Sequence, residues 1–261
     1  MELNNSIAAI VTGGASGLGA GTARLLASKG VKVAIFDLNR PAGEAVAAEI
    51  GGCFCDCDVT DETAIDKALE MARAAHGQER ILVNCAGIVA GRKTARRNRD
   101  SGLGEAHDKA TFSKVIGINL IGTFSMIAKC AAAMLSLPPL EPDGERGVII
   151  STSSVAAQDG QIGQLAYAAS KGGIAAMTLP VARDLSGDGI RACAIMPGLF
   201  HTPMFDALPD EARQALAASV PFPRRLGRPA EYAALACHIV ENPMLNGENI
   251  RLDGAIRLAP R

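Results

Sequence analysis

Thr12-Gly13-Gly14-Ala15-Ser16-Gly17-Leu18-Gly19 closes an apolar run of strand length, residues 7–12, and opens AGTARLLASKG, a stretch of helical period. Strand, glycine turn and helix in that order make a phosphate-binding turn. Glycine lets the backbone approach a pyrophosphate closely, and the amides and dipole at a helix start favour negative charge. The spacing of Gly13, Gly17 and Gly19 departs from the commoner G-x-G-x-x-G, so the turn alone also fits a glycine-rich surface loop. Asp37 weighs against that. It ends the second apolar run, eighteen residues beyond Gly19, where a carboxylate accepts hydrogen bonds from both hydroxyls of an adenosine ribose. The same carboxylate repels a 2′-phosphate, which favours NAD over NADP, while nearby Arg40 weighs the other way. The plainer alternative is that Asp37 caps the following helix.

Outward from the turn, apolar runs at 7–12, 31–36, 53–57, 81–84, 147–151, 191–195 and 249–252 alternate with helical stretches. Strands apolar on both faces and joined by helices form a parallel sheet covered on both sides. The expectation for residues 1–261 is therefore a single Rossmann-like, doubly wound α/β domain with about seven parallel strands flanked by helices. Of 261 residues, 48% are hydrophobic and 20% charged, a balance that builds a core and argues against disorder. Lys plus Arg total 26 against 27 Asp plus Glu, which excludes a surface built to hold nucleic acid or anionic lipid. Seven irregularly spaced cysteines are expected to be reduced thiols. The start MELNNSIAAIVTGG has no basic leader and Lys129 interrupts the longest apolar helix, 116–137, so neither a signal peptide nor a spanning helix is expected. These features predict a protein of the cell interior, cytoplasmic or of the mitochondrial matrix.

Three segments break the rhythm. Residues 91–109, rich in Arg, and 138–147, rich in Pro and Gly, read as surface loops. Residues 197–209 are apolar, so substrate or a neighbouring subunit should cover them.

Tyr167 and Lys171 stand four apart in QLAYAASKGGIAAMTL, a helical stretch, and so share one face about one turn apart. Ser154 follows the fifth run, at the strand ends where a parallel sheet places reactive groups. Hydride exchange between an alcohol and a nicotinamide needs this set, because a base must take the hydroxyl proton. A tyrosine with a pKa of about 10 is a poor base at neutral pH. A nearby Lys ammonium and a positive nicotinamide stabilise the phenolate, and Ser154 holds the substrate oxygen by hydrogen bond.

Together, TGGASGLG at 12–19, CDVTD at 57–61, NCAG at 84–87, GINLIGTF at 117–124 and the Ser154, Tyr167, Lys171 set resemble the short-chain dehydrogenase/reductase family over almost the whole chain. Longer stretches, among them MTLP-x-ARDL, VPFP-x-RLG and LNGE-x-IRLDGAIR, resemble the subgroup that acts on 3-hydroxyacyl-CoA esters and also oxidises hydroxysteroids. The resemblance implies NAD as cofactor, with Ser16 and Leu18 beside Gly13, Gly17 and Gly19 at the pyrophosphate, Asp37 at the ribose, and Asp58 and Val59 at the adenine. It further implies cofactor contacts from Cys85, Ala86 and Gly87, and from Pro197, Gly198, Phe200 and Thr202 around the carboxamide. Tyr167 and Lys171 would touch the cofactor as well, and Asn119 would join a water relay to Lys171. One departure is Cys85, where many members carry a second Asn. The C-terminal IRLDGAIRLAP resembles a subunit-contact segment, which implies a homotetramer.

Other features are weighed on the residues alone. Arg92, Lys93, Arg96, Arg97 and Arg99 can meet the phosphates of a CoA moiety, since Arg suits bidentate phosphate contact, or they form a solvated loop. Cys53, Cys55 and Cys57 alternate on one strand; without an accompanying His or Cys cluster they read as small apolar residues, and no metal is assigned. Leu199, Phe200, Met204, Phe205 and Leu208 make a candidate substrate wall, with Gln161 and Gln164 lining the same pocket. The function expected is reversible oxidation of a short- or medium-chain 3-hydroxyacyl-CoA by NAD. The alternatives are a hydroxysteroid or other secondary-alcohol dehydrogenase and a non-catalytic NAD-sensing module. Small-molecule substrates are the expected partners, with no nucleic acid and no membrane.

Overall fold

The computed structural model describes residues 1–203 and 209–260. In chain order its first half holds β1 (Ala8–Thr12), α1 (Gly17–Ser28), β2 (Lys32–Asp37), α2 (Arg40–Ile50), β3 (Cys53–Asp56), α3 (Glu62–His76) and β4 (Ile81–Asn84). A hairpin of β5 (Ala95–Arg97) and β6 (Gly104–Ala106) follows, then α4 (Lys109–Ile116), a π-helical turn (Gly117–Gly122) and α5 (Thr123–Met134). The remainder is β7 (Gly147–Thr152), α6 (Leu165–Leu185), β8 (Ile190–Pro197), α7 (Asp210–Ala218), α8 (Pro229–Glu241) and β9 (Asn249–Leu252).

Seven strands form one parallel sheet in the order β3-β2-β1-β4-β7-β8-β9, a Rossmann-like α/β fold as expected. The register explains why the runs read apolar at every position. Ile10, Leu82, Ile149 and Ala192 pair across the sheet in one row, packed with α3 and α5. Val11, Val83, Ile150 and Cys193 form the adjacent row on the opposite face, packed with α1 and α8. Because β2 and β4 flank β1 on opposite sides, the connections diverge there and leave a crevice at the strands' C-terminal ends.

Two expectations are corrected. The Arg-rich segment contains the β5–β6 hairpin, in which Arg96 pairs with Glu105 both in register and as an ion pair. The second correction concerns the long apolar helix: α4, the π turn and α5 run on for 26 residues, long and apolar enough by length and composition to cross a membrane. Half of its most apolar window is buried inside the protein, with Met126, Cys130 and Met134 in the core against the sheet. Lys129, rather than interrupting the helix, pairs with Glu62 and Asp66 of α3.

The end of α8 is held firmly to β8. Buried Arg191 pairs with Glu145 and donates to the carbonyls of Ile239, Val240, Asn242 and Leu245, which answers several carbonyls that a helix end leaves without partners.

Candidate active site

The glycine turn lies where the crevice opens. Its helix, α1, starts at Ser16, whose side chain makes no capping bond, and no acidic residue stands in the first turn. The first amides and the positive end of the dipole are thus left for an external anion. The turn tolerates no side chain: a Cβ on Gly19 would sit 2.2 Å from the Gly13 carbonyl oxygen, and one on Gly13 would sit 2.7 Å from the Ala86 amide nitrogen. Thr12 Oγ1 accepts from the amides of Cys85 and Ala86, which fastens the NCAG segment beneath the turn.

Asp37 does not cap α2. That role belongs to Asn39, which accepts from the Ala42 amide. The Asp37 carboxylate instead takes the Ala15 amide at 3.0 Å and the Asn39 amide at 2.9 Å. Each oxygen keeps a further lone pair for a ligand. Arg40 is committed elsewhere, paired with Glu44 and Asp56 and lying over the Phe54 ring at 5.5 Å.

A cleft of about 700 Å³ runs from this turn to the ends of β7 and β8. Gly13, Ser16, Gly17, Leu18 and Gly19 line one end together with Asp37, Asp58 and Val59. Cys85, Ala86 and Gly87 form its floor, and Pro197, Gly198, Phe200 and Thr202 a wall, with Ser154, Tyr167 and Lys171 also lining it. The uncapped helix start, the side-chain-free turn and the Asp37 carboxylate fit the pyrophosphate and ribose of NAD.

Not every expected residue reaches the cleft. Gln161 and Gln164 bond to one another, and Gln161 donates to the Ala259 carbonyl; neither lines the cleft, nor does Leu199. Met204, Phe205 and Leu208 lie outside the described residues. Conversely, Thr152, Lys114 and Val89 line the cleft without having been expected to. Thr152, second in a run of four hydroxyl residues, is marked only by its place at the end of a buried strand.

Ser154 is buried, and its Oγ accepts from the Ala156 amide. Tyr167 lies partly exposed along the cleft and hydrogen-bonds to Ser154. Lys171, buried one turn on, donates to the Thr152 carbonyl at 2.7 Å, its Nζ 5.8 Å from the Tyr167 ring centroid. Burial pushes the Tyr167 phenol above its ordinary pKa, and the Ser154 hydrogen bond pulls it part of the way back. The Lys171 ammonium is bonded to a carbonyl rather than to the phenol oxygen, so it acts on Tyr167 through space. Burial also lowers Lys171 to about 8, against a small rise from the Cys85 thiol, so at neutral pH the amine is still mostly a cation.

Asn119 is fully buried in the π turn, where its side chain accepts from the Ile88 amide and donates to the Ile88 carbonyl and to Ser170 Oγ. All its bonds are to protein atoms, and it reaches the neighbourhood of Lys171 beside Gly87. Gly173 makes this approach possible, since a Cβ there would lie 2.8 Å from the Leu120 side chain. A π turn inside a longer helix commonly accompanies a functional site.

The Arg92 amide donates to the Gly163 carbonyl at 2.7 Å, tying the segment before the hairpin to the segment that leads into α6. Arg92 and Arg96 are paired with Asp108 and Glu105. Lys93, Arg97 and Arg99 have no ion pair among the described residues. No group of three or more His, Cys, Asp or Glu that can hold a metal occurs among the described residues.

Residues 7–213 match the family described as short chain dehydrogenase, and the chain belongs to that family. Within it, the 3-hydroxyacyl-CoA dehydrogenase type-2 of Drosophila melanogaster is 51% identical over 253 residues, covering 96% of this chain and 97% of that protein. Its Homo sapiens counterpart of the same name is 49% identical over 256 residues, with 97% and 96% covered. A crystal structure of 3-hydroxyacyl-CoA dehydrogenase type-2 from Mycobacterium avium superposes with a TM-score of 0.92 at 40% identity, covering 98% of each chain.

Proposed function

We propose that the protein is an NAD-dependent oxidoreductase that reversibly oxidises the 3-hydroxyl of a short- or medium-chain 3-hydroxyacyl-CoA. The observation that carries this reading is the meeting of Ser154, Tyr167 and Lys171 at one part of a cleft that also holds an uncapped helix start and Asp37. Bound NAD supplies the hydride acceptor and a positively charged ring. Ser154 donates a hydrogen bond to the substrate oxygen, and Tyr167 Oη takes the hydroxyl proton. Opposite charges about 6 Å apart attract by about 3 kcal/mol at an effective dielectric constant of about 20, roughly two pKa units. A Lys171 cation near Tyr167 can therefore offset much of what burial costs the phenolate. Asn119 keeps the wall around Lys171 in place through Ile88 and Ser170.

The basic segment around the hairpin supports a CoA ester as substrate, because it is tied beside the start of α6 and its Lys93, Arg97 and Arg99 are available to phosphates. Neutralising these three together is expected to raise KM for acetoacetyl-CoA about tenfold, taking roughly 0.5 kcal/mol for each exposed contact. KM for a 17-ketosteroid should stay near the wild-type value. NADH absorbance with acetoacetyl-CoA, 2-methyl-3-hydroxybutyryl-CoA and a 17-hydroxysteroid, run side by side on both proteins, tests this. Equal effects on ester and steroid would remove the hairpin from substrate binding, and selective turnover of the steroid would replace the proposed substrate class.

The same proposal places the chain in a homotetramer and in a reducing compartment, the cytoplasm or a mitochondrial matrix. Exposed Ile121, Phe124, Leu165 and Leu179 support the first. The seven free cysteines support the second.

A further inference from the structure

Lys171 owes its position to a buried chain of hydrogen bonds that reaches α8. Among the described residues, the only hydrogen-bond acceptor of its ammonium is the Thr152 carbonyl. The side chain of Thr152 has two oxygen partners, the Asn84 carbonyl at 2.6 Å and the Tyr232 hydroxyl at 2.7 Å. Proton counting fixes the direction. A carbonyl only accepts, so the single Thr152 hydroxyl proton goes to Asn84, and Tyr232 must donate to Thr152 Oγ1. The Cys85 sulfur, 3.4 Å from Thr152 Oγ1 and 3.8 Å from the Tyr232 oxygen, completes the chain as a weak partner of both hydroxyls.

Tyr232 is wholly buried on α8, among apolar side chains of the core. Phenylalanine would fill that space without bringing a hydroxyl out of water, which costs free energy unless the group is bonded. Packing does not call for the oxygen; the bond to Thr152 does. The Arg191 contacts that hold the end of α8 leave the phenol little freedom to shift.

We infer that Tyr232 is a positioning residue for Lys171: by donating to Thr152 it locks the residue whose carbonyl holds the ammonium beside Tyr167. The catalytic consequence rests on the dehydrogenase reading above, but the coupling itself does not. The titratable groups facing Lys171 are Tyr167 from α6, Cys85 from the segment after β4 and, behind Thr152, Tyr232 from α8.

The composition makes this measurable. The chain has two tyrosines and no tryptophan, so the ultraviolet band of tyrosinate can be followed residue by residue. Burial holds Tyr232 far above the ordinary range, which leaves the first step to Tyr167, and in Tyr232→Phe Tyr167 is the sole tyrosine. In the empty protein, Tyr232→Phe is expected to lower the Lys171 midpoint, about 8 in the wild type, by about half a pH unit or more, because its acceptor is loosened. The step is read as the small change in the Tyr167 ultraviolet band that precedes Tyr167's own ionisation. With substrate, kcat should fall about threefold to tenfold with KM for NADH unchanged. Thr152→Val, which keeps the carbonyl and loses the hydroxyl, should do the same, whereas Thr152→Ser should titrate like wild type. Should Tyr232→Phe not fold, the Thr152 pair decides alone. A lowered melting temperature with an unmoved Lys171 midpoint in Tyr232→Phe or Thr152→Val would overturn the inference. Because the titration uses the empty protein, a shift supports the coupling even where no secondary alcohol is turned over, a result that would count against the proposed reaction instead.

Discussion

Tyr167→Phe is expected to lower kcat for alcohol oxidation by about a thousandfold while NADH still binds with near wild-type affinity. The substitution keeps the ring that lines the cleft and removes only the oxygen that takes the proton. General base catalysis contributes on the order of 10² to 10⁴ in rate, and little else near the substrate oxygen can replace it. Ser154 is a hydroxyl that already accepts the Ala156 amide, and the Lys171 ammonium is held by the Thr152 carbonyl. Wild-type oxidation should also quicken as pH rises above neutral, because burial holds the phenol protonated at neutral pH. Steady-state NADH absorbance gives the rate, and NADH fluorescence gives the binding. Turnover close to normal in Tyr167→Phe would remove the proposed base.

Asp37→Arg is expected to lose about a hundredfold in kcat/KM with NADH and to gain relative activity with NADPH. The carboxylate is braced by the Ala15 and Asn39 amides and presents its remaining lone pairs to the cleft. Hydrogen bonds to a charged group contribute about 1.5–3 kcal/mol each, so losing one or two of them accounts for the factor. A guanidinium at the same point attracts a 2′-phosphate. Arg40 does not supply that attraction in the wild type, because Glu44, Asp56 and the Phe54 ring hold it. Initial rates with both cofactors on both proteins decide the matter. A wild-type preference for NADPH would overturn the assignment.

What could be read from the sequence follows from which physical signals are local. Strands buried on both faces must be apolar at every position, so 7–12, 81–84 and 147–151 were visible as strands before any pairing was known. The glycine turn was legible for a similar reason: close backbone approaches at Gly13 and Gly19 leave no room for another residue. Residues expected at the cofactor from Gly13 to Thr202 line one cleft, because strand ends and one helix turn set their places.

Features that depend on distant contacts could not be read in this way. The β5–β6 hairpin has no alternating pattern, being stabilised by charge pairs such as Arg96 with Glu105 rather than by a buried face. Gln161 and Gln164 sit near Tyr167 in sequence, yet bonds to one another and to Ala259 keep them out of the cleft. The helix expected over 116–137 starts instead at Lys109, inside a polar stretch whose helical start is marked by Asp108 accepting from the Thr111 amide rather than by an apolar pattern. Least legible was the balance of charge at Tyr167, which depends on how deeply two side chains are buried and on a carbonyl that claims the ammonium.

A crystal structure with NAD and a 3-hydroxyacyl-CoA analogue tests the central claim most directly. The account predicts Tyr167 Oη and Ser154 Oγ both within about 2.6–3.2 Å of the substrate oxygen, with Lys171 still on the Thr152 carbonyl. A phenol turned toward bulk water, with the substrate oxygen bonded to other groups, would contradict it.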